Sequence, residues 1–104
     1  EAMTEDKVVK AASKSEARHL KDLYDAVLQL ESVEEVRKFF IDLCTPAELS
    51  AMADRWRVAK LIEREVPYRK IYEKTGVSTA TVTRVARALT HGTGGYGIVL
   101  GRTK

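Results

Sequence analysis

No stretch of this sequence approaches the ~20 consecutive apolar residues that a membrane-spanning helix needs, and no signal-peptide pattern opens it. Cysteine is nearly absent. Cys44 is the single one, so an intramolecular disulfide is excluded, a metal site lacks its companion thiolates, and the residue reads as a small core side chain in a reducing cytoplasm. Proline occurs twice and aromatic residues make up 7% of the chain. No strand-like alternation of any length is present, which leaves an all-α protein. Also missing are a nucleophile motif, a spaced carboxylate pair in an evident pocket, and a cluster of metal ligands around His19 or His91, both of which read as surface residues. Enzymatic chemistry therefore has no foothold.

What remains is 44% hydrophobic and 32% charged in 104 residues, enough for one domain with a modest core. Long amphipathic helices in so short a chain leave apolar faces uncovered, and a homodimer is expected. The net charge of +3 hides an uneven distribution. Residues 1–54 carry seven Lys/Arg against twelve Asp/Glu, whereas residues 55–104 carry eleven against three. The second half is thus a candidate phosphate-binding surface.

Along the chain, residues 1–14 form a polar, weakly patterned arm with no assigned role. A helical DNA-binding domain follows over residues 15–91, and residues 92–104 form a glycine-rich tail. Ser13 and Glu16 have capping-box spacing, and Leu20, Leu23, Tyr24, Val27 and Leu28 then recur as one helical stripe ending near Leu30. Ser32 and Glu35 repeat the box ahead of Val36, Phe39, Phe40 and Leu43. Thr45-Pro46-Ala47-Glu48 is the strongest helix start: an N-cap, a proline pre-set at the first helical position, and a glutamate at the reciprocal box position. That third helix can run to about Arg64. Its apolar residues cover more than one face, as expected of a central helix.

Residues 67–89, PYRKIYEKTGVSTATVTRVARAL, have the pattern of a helix-turn-helix. Ile71 anchors a short first helix, Gly76 occupies a turn position that tolerates positive φ, and Val77 returns to the core. Ser78 is a fitting N-cap, and Val82, Val85, Ala86 and Leu89 fall on one inner stripe. The other face carries Thr79, Ala80, Thr83 and Arg87, with Thr81 near its edge. Short hydroxyl and methyl side chains backed by arginine suit close approach to base edges in a major groove. Arg69, Lys70 and Arg87 are best placed as phosphate contacts, and Thr79, Ala80 and Thr83 as base readers.

TPAEL, DRWR and TGVSTATVTR, spread over Thr45 to Leu89, resemble the tryptophan repressor family, and within it the tryptophan-repressor-related proteins of the YerC/YecD type. The resemblance implies an all-helical, intertwined homodimer that offers two reading heads to successive major grooves of double-stranded DNA, with half-sites ~34–36 Å apart. Carried across by position, it places the operator contacts at Arg69, Ala80, Thr81 and Thr83. Tyr72 and Thr79 occupy contact positions with different side chains, so the preferred operator differs. It also implies a pocket for L-tryptophan as corepressor. Arg55 and Arg84 match the two arginines that enclose the indole, and Thr45 matches a residue near the ligand's amino group. Two positions depart from the pattern: Val85 replaces a glycine and Ala88 a serine. A branched side chain takes indole space and a lost hydroxyl leaves a ligand group without its partner, so tight L-tryptophan binding is not expected. Trp56, beside Arg55, reads as an ordinary core aromatic rather than as a substitute indole.

In the tail, Gly92, Gly94 and Gly97 match G-x-G-x-x-G spacing. They follow a helix instead of a strand and are read as opening no helix, so a dinucleotide site is not supported and a flexible or partner-draped tail is expected. The leading functional reading is a DNA-binding transcriptional regulator, with repression by steric occlusion. Two alternatives stay open: a helical protein-interaction module, which would bind its partner with little salt dependence, and a DNA-binding regulator gated by L-tryptophan or another anionic or aromatic small molecule held by Arg55 and Arg84.

Overall fold

The computed structural model describes residues 13–103, and the first twelve residues of the expected N-terminal arm lie outside them. All regular structure among the described residues is helical: α1 (Lys14–Val27), α2 (Val33–Leu43), α3 (Pro46–Glu63), α4 (Tyr68–Thr75), α5 (Thr79–His91) and α6 (Gly95–Arg102). The chain divides into two compact units, Glu1–Leu43 and Cys44–Lys104.

The first unit holds α1 and α2. Ser13 caps α1 by accepting the Glu16 N–H at 3.1 Å, and Ser32 accepts the Glu35 N–H at 3.2 Å. The Glu35 carboxylate takes the N–H of Glu31 at 2.9 Å, one residue upstream of the position a standard capping box uses. Neither helix has a buried residue. Tyr24, Val33, Ile41 and Leu43 each expose more than half of their surface although they lie on amphipathic helices.

The second unit contains the hydrophobic core. Val58 and Ala59 of α3 meet Ile71 of α4, Val77 of the following turn, and Val82 and Val85 of α5; Trp56, Leu61, Ile62, Val66, Leu89 and Tyr96 pack around them. The two halves of the helix-turn-helix are thus mounted on α3, which begins and ends sharply. At its start Thr45 Oγ1 accepts the Glu48 N–H at 3.1 Å, and the Glu48 carboxylate accepts the Thr45 N–H at 2.8 Å, closing the expected box. That bond holds the Glu48 carboxyl below its usual pKa. At its end the Val66 N–H reaches Leu61 O at 3.1 Å and the Glu65 N–H reaches Ile62 O at 2.9 Å, the two bonds of a Schellman motif. Its left-handed residue is Glu65, at φ 62°, where glycine is the usual occupant.

The tail departs from expectation. Residues from Gly95 onward form α6, whose Leu100 is buried and whose Tyr96 stacks on Trp56 with ring centroids 6.4 Å apart and planes 8° from parallel. Glycine disfavours a helix by about 1 kcal/mol per residue, but Tyr96 and Leu100 stand one turn apart, and packing the half-buried Tyr96 and the buried Leu100 on the same side outweighs that local preference. The chain enters this segment through Gly92, where a Cβ would collide with the Ala88 carbonyl oxygen. The G-x-G-x-x-G run therefore does precede a helix, but it still follows a helix and not a strand.

Two outcomes are expected for the boundaries of α3. Glu65→Gly removes the left-handed strain and raises stability by about 0.5–1 kcal/mol in urea titrations. Glu48→Ala lowers stability at neutral pH. Because folding depresses this carboxyl's pKa, its contribution is present above the unfolded carboxylate range and is lost as pH falls through the lower folded value, so the gap between variant and wild type closes in acid.

Candidate nucleic-acid interface

The geometry begins at the turn between α4 and α5. Gly76 has φ 72°, and its N–H bonds Tyr72 O at 2.8 Å. The Thr75 hydroxyl donates to Ile71 O at 2.7 Å and accepts the Val77 N–H at 3.0 Å. Ser78 then caps α5, accepting the Thr81 N–H at 3.2 Å while its own hydroxyl donates to Thr81 Oγ1 at 3.0 Å. With Ile71, Val82 and Val85 turned into the core and Leu89 packed against it, the opposite faces of both helices are left to solvent.

Those faces carry the expected residues. Thr79, Ala80, Thr83 and Arg87 of α5 are exposed, as are Arg69, Lys70 and Tyr72 of α4. Thr81 is half-buried, and its hydroxyl oxygen accepts from Ser78, which occupies one of its two lone pairs and leaves its own proton and the second lone pair available. The start of α4 runs against the usual electrostatics of a helix end. Pro67 provides no side-chain cap, no acidic residue lies in the first turn, and Arg69 and Lys70 stand beside the open N–H groups. Cations at a helix N-terminus face its positive pole, an arrangement relieved when an anion is bound there. Glu73 is the partial counterweight, 3.9 Å from Arg69 and 3.8 Å from Lys70. The sequence reading passed over it, although its i+4 and i+3 spacing from those cations was legible. Thr75 was missed as well, since nothing in its spacing tells that its hydroxyl folds back on its own turn.

The residues aligned with a corepressor pocket are placed differently from one another. Thr45 is exposed and acts as the α3 cap, Arg55 and Ala88 are half-buried, Arg84 is exposed, and Val85 is 1% exposed within the core. A groove of about 370 Å³ lies beside α5, lined by Ile62, Tyr68, Ala86 and Leu89 together with Thr83 and Arg87; none of those five residues contributes to it. Trp56 is a packing residue, stacked on Tyr96, with the Lys60 ammonium 5.9 Å from its ring centre.

All regular structure among the described residues is helical, and a helix-turn-helix held on a long central helix is the architecture of a helical DNA-binding domain. The family model described as Trp repressor protein matches residues 18–104. The uncharacterized protein YerC of Bacillus subtilis is 40% identical over 91 residues, covering 88% of each chain. Among solved structures, a TrpR-like protein from Eubacterium eligens superposes with a TM-score of 0.79 at 40% identity, over 83% of this chain and 89% of that one. A candidate Trp repressor from Staphylococcus aureus gives a TM-score of 0.79 at 39% identity, over 88% and 95%. The chain belongs to the tryptophan repressor family, a family of helix-turn-helix DNA-binding regulators. The match runs through α6, so the glycine-rich end is part of the family domain.

Glu73 pairs with Arg69 and Lys70, and a phosphate approaching either cation would have to displace it. Glu73→Gln is expected to raise affinity for duplex DNA of any sequence by about two- to fivefold, as measured by fluorescence anisotropy at low salt, because an exposed pair of this kind is worth only ~0.2–1 kcal/mol.

Proposed function

We propose that this protein is a cytoplasmic transcriptional regulator that binds double-stranded operator DNA as a homodimer and represses by occluding the promoter. The observation that carries the reading is the pairing, on one rigid helix-turn-helix, of an exposed short-chain face with the uncapped, cationic start of α4. In this reading Arg69, Lys70 and Arg87 take phosphates, and Thr79, Ala80 and Thr83 meet base edges. Tyr72 and Thr81 border the contact. The dimer is supported by α1 and α2: none of their described residues is fully buried, and exposed apolar side chains such as Tyr24, Val33 and Ile41 would gain cover from a second copy.

L-tryptophan is not required in this reading. Val85 occupies a position where the family has glycine, and its side chain is packed among Val58, Ile71 and Val82, which leaves an indole no room beside it without repacking the core. The reading head is accordingly held in place by the protein's own aliphatic side chains. Arg55 and Arg84 then serve the charge of the surface rather than a ligand clamp.

The test is a titration of selected duplex DNA at two salt concentrations, with and without L-tryptophan. Expected is tight, steeply salt-dependent binding that tryptophan leaves unchanged; binding seen only with tryptophan would overturn the ligand-free reading, and salt-insensitive behaviour with no duplex affinity would point to a protein partner. Arg69→Ala is expected to weaken all sequences alike and reduce the salt slope by about one, whereas Thr83→Val should cost ~1–3 kcal/mol at a single base pair. Light scattering at micromolar concentration is expected to return twice the chain mass.

A further inference from the structure

We infer that Thr75 sets the direction in which α5 leaves the turn, and that it is thereby a positioning residue for sequence discrimination; the second part rests on the DNA-binding reading above. The two helix ends of this unit solve the same problem differently. A helix that stops leaves carbonyls without partners and delivers two further N–H groups that must bond somewhere. At the end of α3 the Schellman pair satisfies both N–H groups from the backbone, Glu65 to Ile62 and Val66 to Leu61. At the end of α4 the backbone takes only the first, Gly76 to Tyr72, the simpler left-handed motif.

The second N–H belongs to Val77, a residue only 8% exposed. Its partner is the Thr75 hydroxyl oxygen, at 3.0 Å, and that hydroxyl in turn donates a hydrogen bond to Ile71 O at 2.7 Å. One side chain thus links a carbonyl of α4 to the amide of the residue that leads into α5. Val77 is held twice, by its amide on Thr75 and by its side chain in the core, and Ser78 starts the next helix directly after it. Both roles are needed together, donor and acceptor on one short side chain, and only serine or threonine provides them at this reach. Valine has the same shape and provides neither.

The deciding experiment compares Thr75→Val, Thr75→Ser and Leu100→Ala with wild type. Leu100→Ala empties a buried site on α6 and lowers stability without touching the turn. Three readouts are taken: amide hydrogen exchange at Val77 relative to Val82, residual dipolar couplings reporting the α4–α5 angle, and the ratio of affinities for selected and scrambled duplexes. Thr75→Val is expected to speed Val77 exchange by roughly tenfold, shift the couplings of α5 against α4, and lower the affinity ratio by roughly tenfold, since a buried N–H loses its only acceptor. Thr75→Ser should match wild type in all three, and Leu100→Ala should lower the melting temperature while keeping Val77 protection and the affinity ratio. Thr75→Ala gives the same readouts with a smaller side chain if the valine variant folds poorly. Unchanged exchange and couplings in Thr75→Val, or a serine variant that behaves like valine, would overturn the inference. Wild-type protein that binds both duplexes equally would instead overturn the DNA reading, and the turn-setting role would be judged on exchange and couplings alone.

Discussion

The contact on which the structure depends is the burial of Val58 and Ala59 against Ile71, Val82 and Val85. All five are aliphatic, and Ile71, Val58, Val82 and Val85 are the largest side chains fully removed from solvent. Each such burial contributes about 1.5–3 kcal/mol, and together they fasten the two short helices of the reading head to one long helix. Short helices of eight and thirteen residues are marginal on their own. Their outward faces have a defined geometry because their inward faces are fixed to α3.

Polar chemistry is kept out of that core. Among the described residues no polar or charged side chain is buried. Hydroxyls act at the helix boundaries instead: Ser13, Ser32, Thr45 and Ser78 each accept an N–H of the first turn, and Thr75 holds the turn of the reading head. The division of labour follows from energetics. Aliphatic burial is strong and non-directional, so it sets which helices meet, while hydrogen bonds are weaker but directional, so they set where each helix begins and how the chain turns between them.

Much of this was legible in the residues. The capping box at Thr45, the left-handed Gly76, the Ser78 cap and the inward stripe of Val82 and Val85 were all read from spacing, because each depends on neighbours within about four positions. The tail was not. Its glycines argued against a helix, and the pairing of Tyr96 with Trp56, forty residues away in sequence, could not be seen from local pattern. The same limit hid the Thr75 hydroxyl, whose role depends on which backbone bonds the turn had already used.

Sequence alone determined the all-helical class, the capped starts of α1, α2, α3 and α5 and the residues exposed on the reading head, since periodicity and capping are short-range properties of the chain. Tertiary structure decided that α6 exists, that its Leu100 is buried, and that Tyr96 stacks on Trp56. Those outcomes turn on which surfaces meet across long separations, and burial is a property of the packed assembly rather than of any segment within it.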